Sequence, residues 1–250
     1  MMQTLKLSLV VILILMVTSR MLFAEPIKFS PFALYEQANS NIIIDGVSTK
    51  YGLGVAGISL QKMLNDKLAL AGKLGYGQNN DQKVSFSGAN FKGLVSGSYL
   101  DLQGSYLIYQ NDRSSVFSSA QFINRELNAS NLTGTRNGLA LTGKSNTFIN
   151  SSDIKLGTLI KMSPFTILKL SAGISQWQLN AKATGYYASS GVTATAKKNI
   201  NAIGQDPVFE AGIMTNKDNH NFEVIASSRS LRSKANTEII SAQISYLFAF

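Results

Sequence analysis

Over much of its length the chain alternates large apolar side chains with small or polar ones at a period of two. In 96–110, Leu100, Leu102, Gly104, Tyr106 and Ile108 fall on one parity, while Asp101, Gln103 and Ser105 fall on the other. Residues 153–162 set Ile154, Leu156, Thr158, Ile160 and Met162 against Lys155, Gly157 and Lys161. The same rhythm places Leu168, Leu170, Ala172 and Ile174 opposite Lys169, Ser171 and Gly173, and Phe222, Val224 and Ala226 opposite Asn221 and Glu223. Successive side chains of a strand point to opposite faces, so this period predicts strands with one apolar and one polar face.

Read along the whole chain, it predicts strands at 27–36, 51–63, 67–77, 96–110, 116–125, 153–162, 165–178, 207–215, 220–229 and 237–250. Tight connections rich in turn formers fall at 65–67, 111–115, 163–164 and 216–219. Longer connections fall at 37–50, 78–95, 126–152, 179–206 and 230–236. Short turns at one end and long loops at the other are the arrangement of a closed antiparallel transmembrane β-barrel. The expected fold is therefore all-β, with about ten strands, eight being the alternative count. A soluble sandwich or carrier barrel would alternate too, with its apolar face inward. The set expected to face inward is small and polar, which favours the membrane reading. The first strand is the least regular, since Phe29, Phe32 and Tyr35 do not share a parity and Pro31 interrupts it.

The two ends add to this picture. The apolar run Leu7 to Thr18, followed by Phe23-Ala24, has the length of a signal-peptide core and is shorter than a membrane-spanning helix. Residues 1–24 are expected to be a signal peptide, and 25–250 the barrel. At the other end Ile240, Ala242, Ile244, Tyr246, Phe248 and Phe250 share one face, as a lipid-facing strand ending in interfacial aromatics would.

Composition narrows the function. The chain has no Cys, which excludes disulfides, thiolate metal sites and a lipid-modified cysteine. Removing Lys6 and Arg20 with the signal lowers 23 basic residues to 21, against 14 acidic ones. For an exported chain this excess points to anionic lipid head groups, not to nucleic acid.

Two nucleotide-binding patterns occur by letter only. Gly138 to Ser145 matches the phosphate-loop pattern but lacks the strand before it and the helix after it. Gly52, Gly54 and Gly57 match a dinucleotide-binding turn, yet polar residues precede them and Asn65-Asp66 would cut the helix short. Glycines relieving crowding on a strand are the simpler reading. His220, the only histidine, falls at a short turn without a partner to orient it. No catalytic residue, cofactor site or metal site is expected.

Lys73, Asp101, Lys155, Lys161, Lys169, Glu210 and Glu223 are expected to face the lumen, with Arg125 and Arg229 near its rim. At ten strands such charges fill a narrow interior as ion pairs more readily than they line a conduit. Arg229, Arg232 and Lys234 surround the last long loop, where they are candidates to contact lipopolysaccharide phosphates. The loops 126–152 and 179–206, with Tyr186-Tyr187, are where a surface ligand would be met.

Tyr246, Phe248 and Phe250, together with the signal peptide and the ten-strand rhythm, resemble the small outer-membrane β-barrel proteins of Gram-negative bacteria, the OmpA-like and opacity-like group. That resemblance implies an outer-membrane location and recognition of these three aromatics by the barrel-assembly machinery. It implies a structural, surface-interaction or narrow-pore role without catalysis. The alternatives are an outer-membrane lipid-modifying or proteolytic enzyme, and a soluble periplasmic carrier barrel.

Overall fold

A computed structural model describes residues 27–86, 88–136, 139–189, 192–217 and 220–248. The expected signal peptide, Gly138 and the terminal Phe250 lie outside these residues. Twelve antiparallel strands form one sheet. They are β1 (Lys28–Ala38), β2 (Ile42–Ile44), β3 (Val47–Lys50), β4 (Gly52–Met63), β5 (Leu68–Phe86), β6 (Ala89–Gln110), β7 (Ser114–Arg136), β8 (Leu139–Ser163), β9 (Thr166–Ser189), β10 (Val192–Lys217), β11 (His220–Ser230) and β12 (Glu238–Phe248). One short helix, α1 (Arg232–Ala235), lies between the last two.

The ring closes. β5 pairs with β6 as well as β4, and β12 pairs with β1 from Phe29↔Phe248 to Ala38↔Ile239. With β2 and β3 standing outside the ring, ten strands make the barrel wall, each overlapping one predicted strand. The irregular first strand is explained by its neighbours. Phe29, Ala33 and Tyr35 point outward, whereas Ser30, Phe32, Leu34 and Glu36 point inward. Phe32 is therefore a lumen residue, and its ring packs into a notch left by Gly57 and Gly75, where an added Cβ would sit 2.8 and 3.1 Å from it. The glycines of the dinucleotide-like pattern relieve crowding on β4, and no helix follows them.

The expected long loops at 78–95, 126–152 and 179–206 are a correction. They are continuations of the strands, paired as far as Phe86↔Ala89, Arg136↔Leu139 and Ser189↔Val192. β8 runs for 25 residues, roughly 85 Å at about 3.4 Å per residue, whereas a tilted strand crosses a membrane in about 9–11. The hairpins β5–β6, β7–β8 and β9–β10 thus rise well beyond any bilayer. The 37–50 connection is also structured: Asp45-Gly46, both at positive φ, turn the β2–β3 hairpin.

The membrane level is visible in the outward residues. On β8 they are Ile154, Leu156, Ile160 and Met162, then Ser152 and Asn150. On β9 they are Leu168, Leu170, Ala172 and Ile174, then Gln176 and Gln178. On β10 they are Ile213, Ala211 and Phe209, then Gln205. Ser152 pairs with Gln176, and Gln176 with Gln205, so the change from apolar to polar runs as one line around the wall. Phe29, Tyr106, Tyr109, Phe165 and Phe222 stand exposed toward the short-turn end of this belt, and Tyr35 and Tyr76 toward its other edge. That is the aromatic girdle pattern of a transmembrane barrel.

The inward residues switch the opposite way at the same level. Below it the lumen carries Ser, Lys, Asp and Glu. Above it Ile149, Trp177, Leu179, Leu127, Leu132, Ile200 and Ala202 pack as one apolar core with Ile42, Ile44 and Leu53. The expectation of a small, polar interior holds within the belt and fails above it. In water the outer wall must bury its apolar face inward, as any soluble sheet does.

Candidate functional site

The lumen has three levels, set by which strand positions face inward at each height. At the short-turn end it opens as a vestibule of about 1010 Å³, reached by Lys62, Lys67, Arg113 and Lys161, with Lys73, Lys169 and Glu223 deeper in.

Above it lies a layer of charges. Lys73 Nζ sits 3.4 Å from Asp101 and donates to Gln243 at 2.8 Å. Gln121 donates to Asp101 at 2.9 Å and accepts from Lys155 at 2.7 Å. Lys155 pairs with Glu210 at 2.7 Å, and Lys169 reaches the other oxygen of Glu210 at 2.6 Å. These residues come from β12, β5, β6, β7, β8, β10 and β9, so the chain of bonds crosses the lumen from wall to wall. Six of the seven expected lumen charges contribute to this level or face it. Lys161 belongs to the vestibule and is exposed there.

Two further pairs complete the plug, and both correct the expected rim positions. Arg125 is fully buried. It donates from Nε and Nη2 to the two carboxylate oxygens of Glu36, each at 2.6 Å, and its guanidinium lies 5.8 Å from the Tyr99 ring centroid. Tyr51 donates to the same Glu36 at 2.8 Å. Arg229 is buried too, bonded to Asp153 through Nη2 and to Ser175 through Nε. It therefore offers nothing to lipopolysaccharide. It faces inward because β11 keeps strict alternation through Glu223, Ile225 and Ser227. The Glu36–Arg125 pair is a two-bonded fork, whereas Asp153 holds Arg229 through one oxygen, and Arg125 Nη1 and Asp153 Oδ1 have no hydrogen-bond partner among the described residues.

The third level is the apolar core. The cavities left above the vestibule measure about 40 and 50 Å³, room for a few waters at most. Among the described residues, the charge layer and the apolar core fill the lumen above the vestibule.

At the outer end, Arg232 is exposed and pairs with Glu238 at 2.5 Å, and Lys234 is exposed beside Ile43 and Ile203. α1 is held by Asp206, which accepts from Ser233 N–H at 3.1 Å, from its hydroxyl at 2.6 Å, and from Trp177 Nε1 at 2.8 Å. Lys144, the lysine of the phosphate-loop pattern, lies within β8 and stacks 5.9 Å from the Tyr186 ring centroid. His220 pairs with Lys217 at the short-turn end, far from that outer surface. The side chains of His220, Tyr187 and Phe248 lie outside the described set.

Glu36, Tyr51, Asp153 and Asp206 were not singled out in the sequence. Glu36, Asp153 and Asp206 carried a signal nonetheless, since each is an acid on the inward parity of its strand.

The class that this geometry defines is the small antiparallel transmembrane β-barrel with a filled lumen. No family model and no curated protein matches the chain. Among solved structures, it is similar to the translocator domain of the autotransporter NalP from Neisseria meningitidis, at 12% identity and TM-score 0.47, covering 89% of this chain and 88% of that one. It is also similar to the outer membrane protease OmpT from Escherichia coli, at 7% identity and TM-score 0.49, covering 91% and 96%. The attachment invasion locus protein Ail of Yersinia pestis matches at 10% identity and TM-score 0.33, covering 89% and 99%. The barrel itself is established by the chain's own closed hydrogen-bond ring and apolar belt.

Proposed function

We propose that the protein is an integral outer-membrane barrel that neither conducts nor catalyses, and that its working surface is the wall of hairpins above the membrane. The observation that carries this is the filled lumen. A continuous ion-pair layer under an apolar core leaves no aqueous path, while three hairpins of 19- to 26-residue strands extend far past the membrane belt. A structure that invests in a tall, rigid wall and a blocked interior is suited to presenting a surface.

Within this reading, residues 1–24 direct export, and Tyr246, Phe248 and Phe250 mark the last strand for the assembly machinery. Arg232 and Lys234 meet lipopolysaccharide phosphates, and a surface ligand is met along 126–152 and 179–206, now as strand faces and edges. A hydrolase would need a base beside a nucleophile at the outer rim, and the only histidine of the chain sits at the opposite end.

Planar-bilayer recording on the refolded full chain tests the reading. Silence under an applied potential is the expected result, and steady ion-selective conductance would overturn it. The same preparation should stay with the membrane through a carbonate wash and show heat-dependent gel mobility.

A further inference from the structure

Above the membrane belt the wall is no longer a closed ring among the described residues. β5 to β10 continue upward, whereas β1, β4, β11 and β12 end near the belt. The β2–β3 hairpin folds across this low side, and β3 joins the top of β5 through Ser48↔Ser85, Thr49↔Val84 and Lys50↔Lys83. β2 then has a partner strand only on its β3 side. On the far side, β10 has only β9 beside it from Val192 to Pro207, because pairing with β11 begins at Val208↔Arg229. α1 fills the base of the gap, with Leu231 and Ala235 buried and Ser233 bonded to Asp206. Above α1, Ile43, Ile44 and Asp45 face Asn201, Ala202 and Ile203 across a cavity of about 440 Å³, with Lys234 at its side.

We propose that this gap is a strand-addition site, in which an extended segment of a partner protein, alternating acidic and apolar residues, inserts between β2 and β10 and completes the outer wall. A strand edge presents a row of backbone N–H and C=O groups, and what satisfies such a row is another extended backbone. Here two edges flank one cavity, so an inserted segment bonds on both sides. The apolar requirement comes from Ile44 and Ala202, the inward residues of the two edges, which line the cavity and belong to the apolar core, so that every second side chain of the segment meets them. The acidic requirement belongs to the outward side chains of the segment, because Lys234 is exposed beside the cavity and Lys197 is exposed farther along the same unpaired stretch of β10, against Asp45 on the β2 side. The same lysines argue against a second copy as the occupant, since pairing two β10 edges would bring like charges together.

This proposal rests on the outer wall being the working surface, and its test is separate from the conductance measurement. The refolded full chain is titrated with a synthetic twelve-residue peptide of alternating Glu and Val, and amide hydrogen exchange is followed by mass spectrometry. Binding is expected to slow exchange at least tenfold within Ile42–Ile44 and Asn199–Ile203. A peptide with Pro at its centre, and the doubly substituted Lys197→Glu, Lys234→Glu protein, are each expected to bind at least tenfold more weakly. Absence of binding, or binding without slowing at these two segments, would overturn the proposal and leave a silent barrel with an unassigned surface. Slowing there without peptide, rising with protein concentration, would also overturn it and assign the gap to a second copy. Equal binding of the proline peptide would overturn it as well, because no backbone ladder could then be involved.

Discussion

Glu36 and Arg125, 89 positions apart in the chain, hold each other across the lumen through two hydrogen bonds of 2.6 Å with both side chains buried. The pair lies where the charge layer meets the apolar core, with both side chains shielded from bulk solvent. Removing one partner of such a pair leaves an uncompensated buried charge, which costs about 3–5 kcal/mol, whereas removing both is often close to neutral. Arg125→Met should lower the urea midpoint of the refolded barrel by a corresponding amount, and Glu36→Gln combined with Arg125→Met should recover most of the loss. Equal midpoints for the single and double variants would remove the pair from any account of stability.

Gly97 and Gly54 separate crowding from composition. A Cβ at Gly97 would lie 1.7 Å from the Glu126 carbonyl oxygen, while at Gly54 the nearest atom would be 3.8 Å away. Gly97→Ala must therefore push β6 from β7, with an overpacking cost of about 1–3 kcal/mol. Gly54→Ala should be neutral or slightly stabilising, within about 1 kcal/mol. Denaturant unfolding of both variants in the same detergent checks the contrast, and a Gly97→Ala variant as stable as the wild type would refute the β6–β7 packing.

Ile154 and Ile203 are both exposed, at 73% and 53%, on opposite sides of the polar line through Ser152 and Gln205. Only the first should face lipid. Arg on the lipid face of a barrel costs about 2–4 kcal/mol near the midplane and little outside the membrane. In lipid vesicles, Leu156→Arg, one outward position deeper in the belt than Ile154, should fold less stably by that order, Ile154→Arg at the belt edge by about 1 kcal/mol at most, and Ile203→Arg should not; the reverse ranking would place the membrane at the wrong height.

Trp177, the only tryptophan of the chain, is 1% exposed and donates its indole N–H to Asp206 at 2.8 Å. Its fluorescence should be shielded from acrylamide in the folded barrel and become accessible on unfolding. Asp206→Ala removes an acceptor shared by Trp177 and Ser233, leaving a buried indole N–H unpaired at about 1–3 kcal/mol. α1 should loosen first, so quenching of Trp177 should rise below the global transition. Unchanged quenching would mean that Asp206 does not hold α1.

Much of the barrel was legible in the chain. Alternation in 153–162 and 165–178 assigned Ile154 and Leu170 to one face and Lys155 and Lys169 to the other, and the structure keeps those assignments. The turns at 65–67, 111–115 and 163–164 were legible because turn formers are local. The outer halves of the strands were not, and the reason lies in β8. Its apolar residues sit on the even parity from Ile154 to Met162 and on the odd parity at Ile149 and Leu141, so the alternation changes phase and looks like loop. Arg125 was assigned to a rim because β7 was drawn too short, whereas β11 was drawn at nearly its full length and Arg229 is buried because the neighbouring strands β8, β9 and β10 continue past it.

Which face of its strand each side chain takes was determined by the sequence alone, because the β backbone enforces a period of two wherever the chain is extended. What each face meets was decided only by the tertiary structure. The same inward parity meets a charge on one level and an apolar core on the next, since the medium outside the wall changes from lipid to water at the Ser152–Gln176–Gln205 line. The partners of Glu36 and Asp153 likewise come from strands far apart in sequence. They become neighbours only when the ring closes and its diameter brings opposite walls within hydrogen-bonding reach.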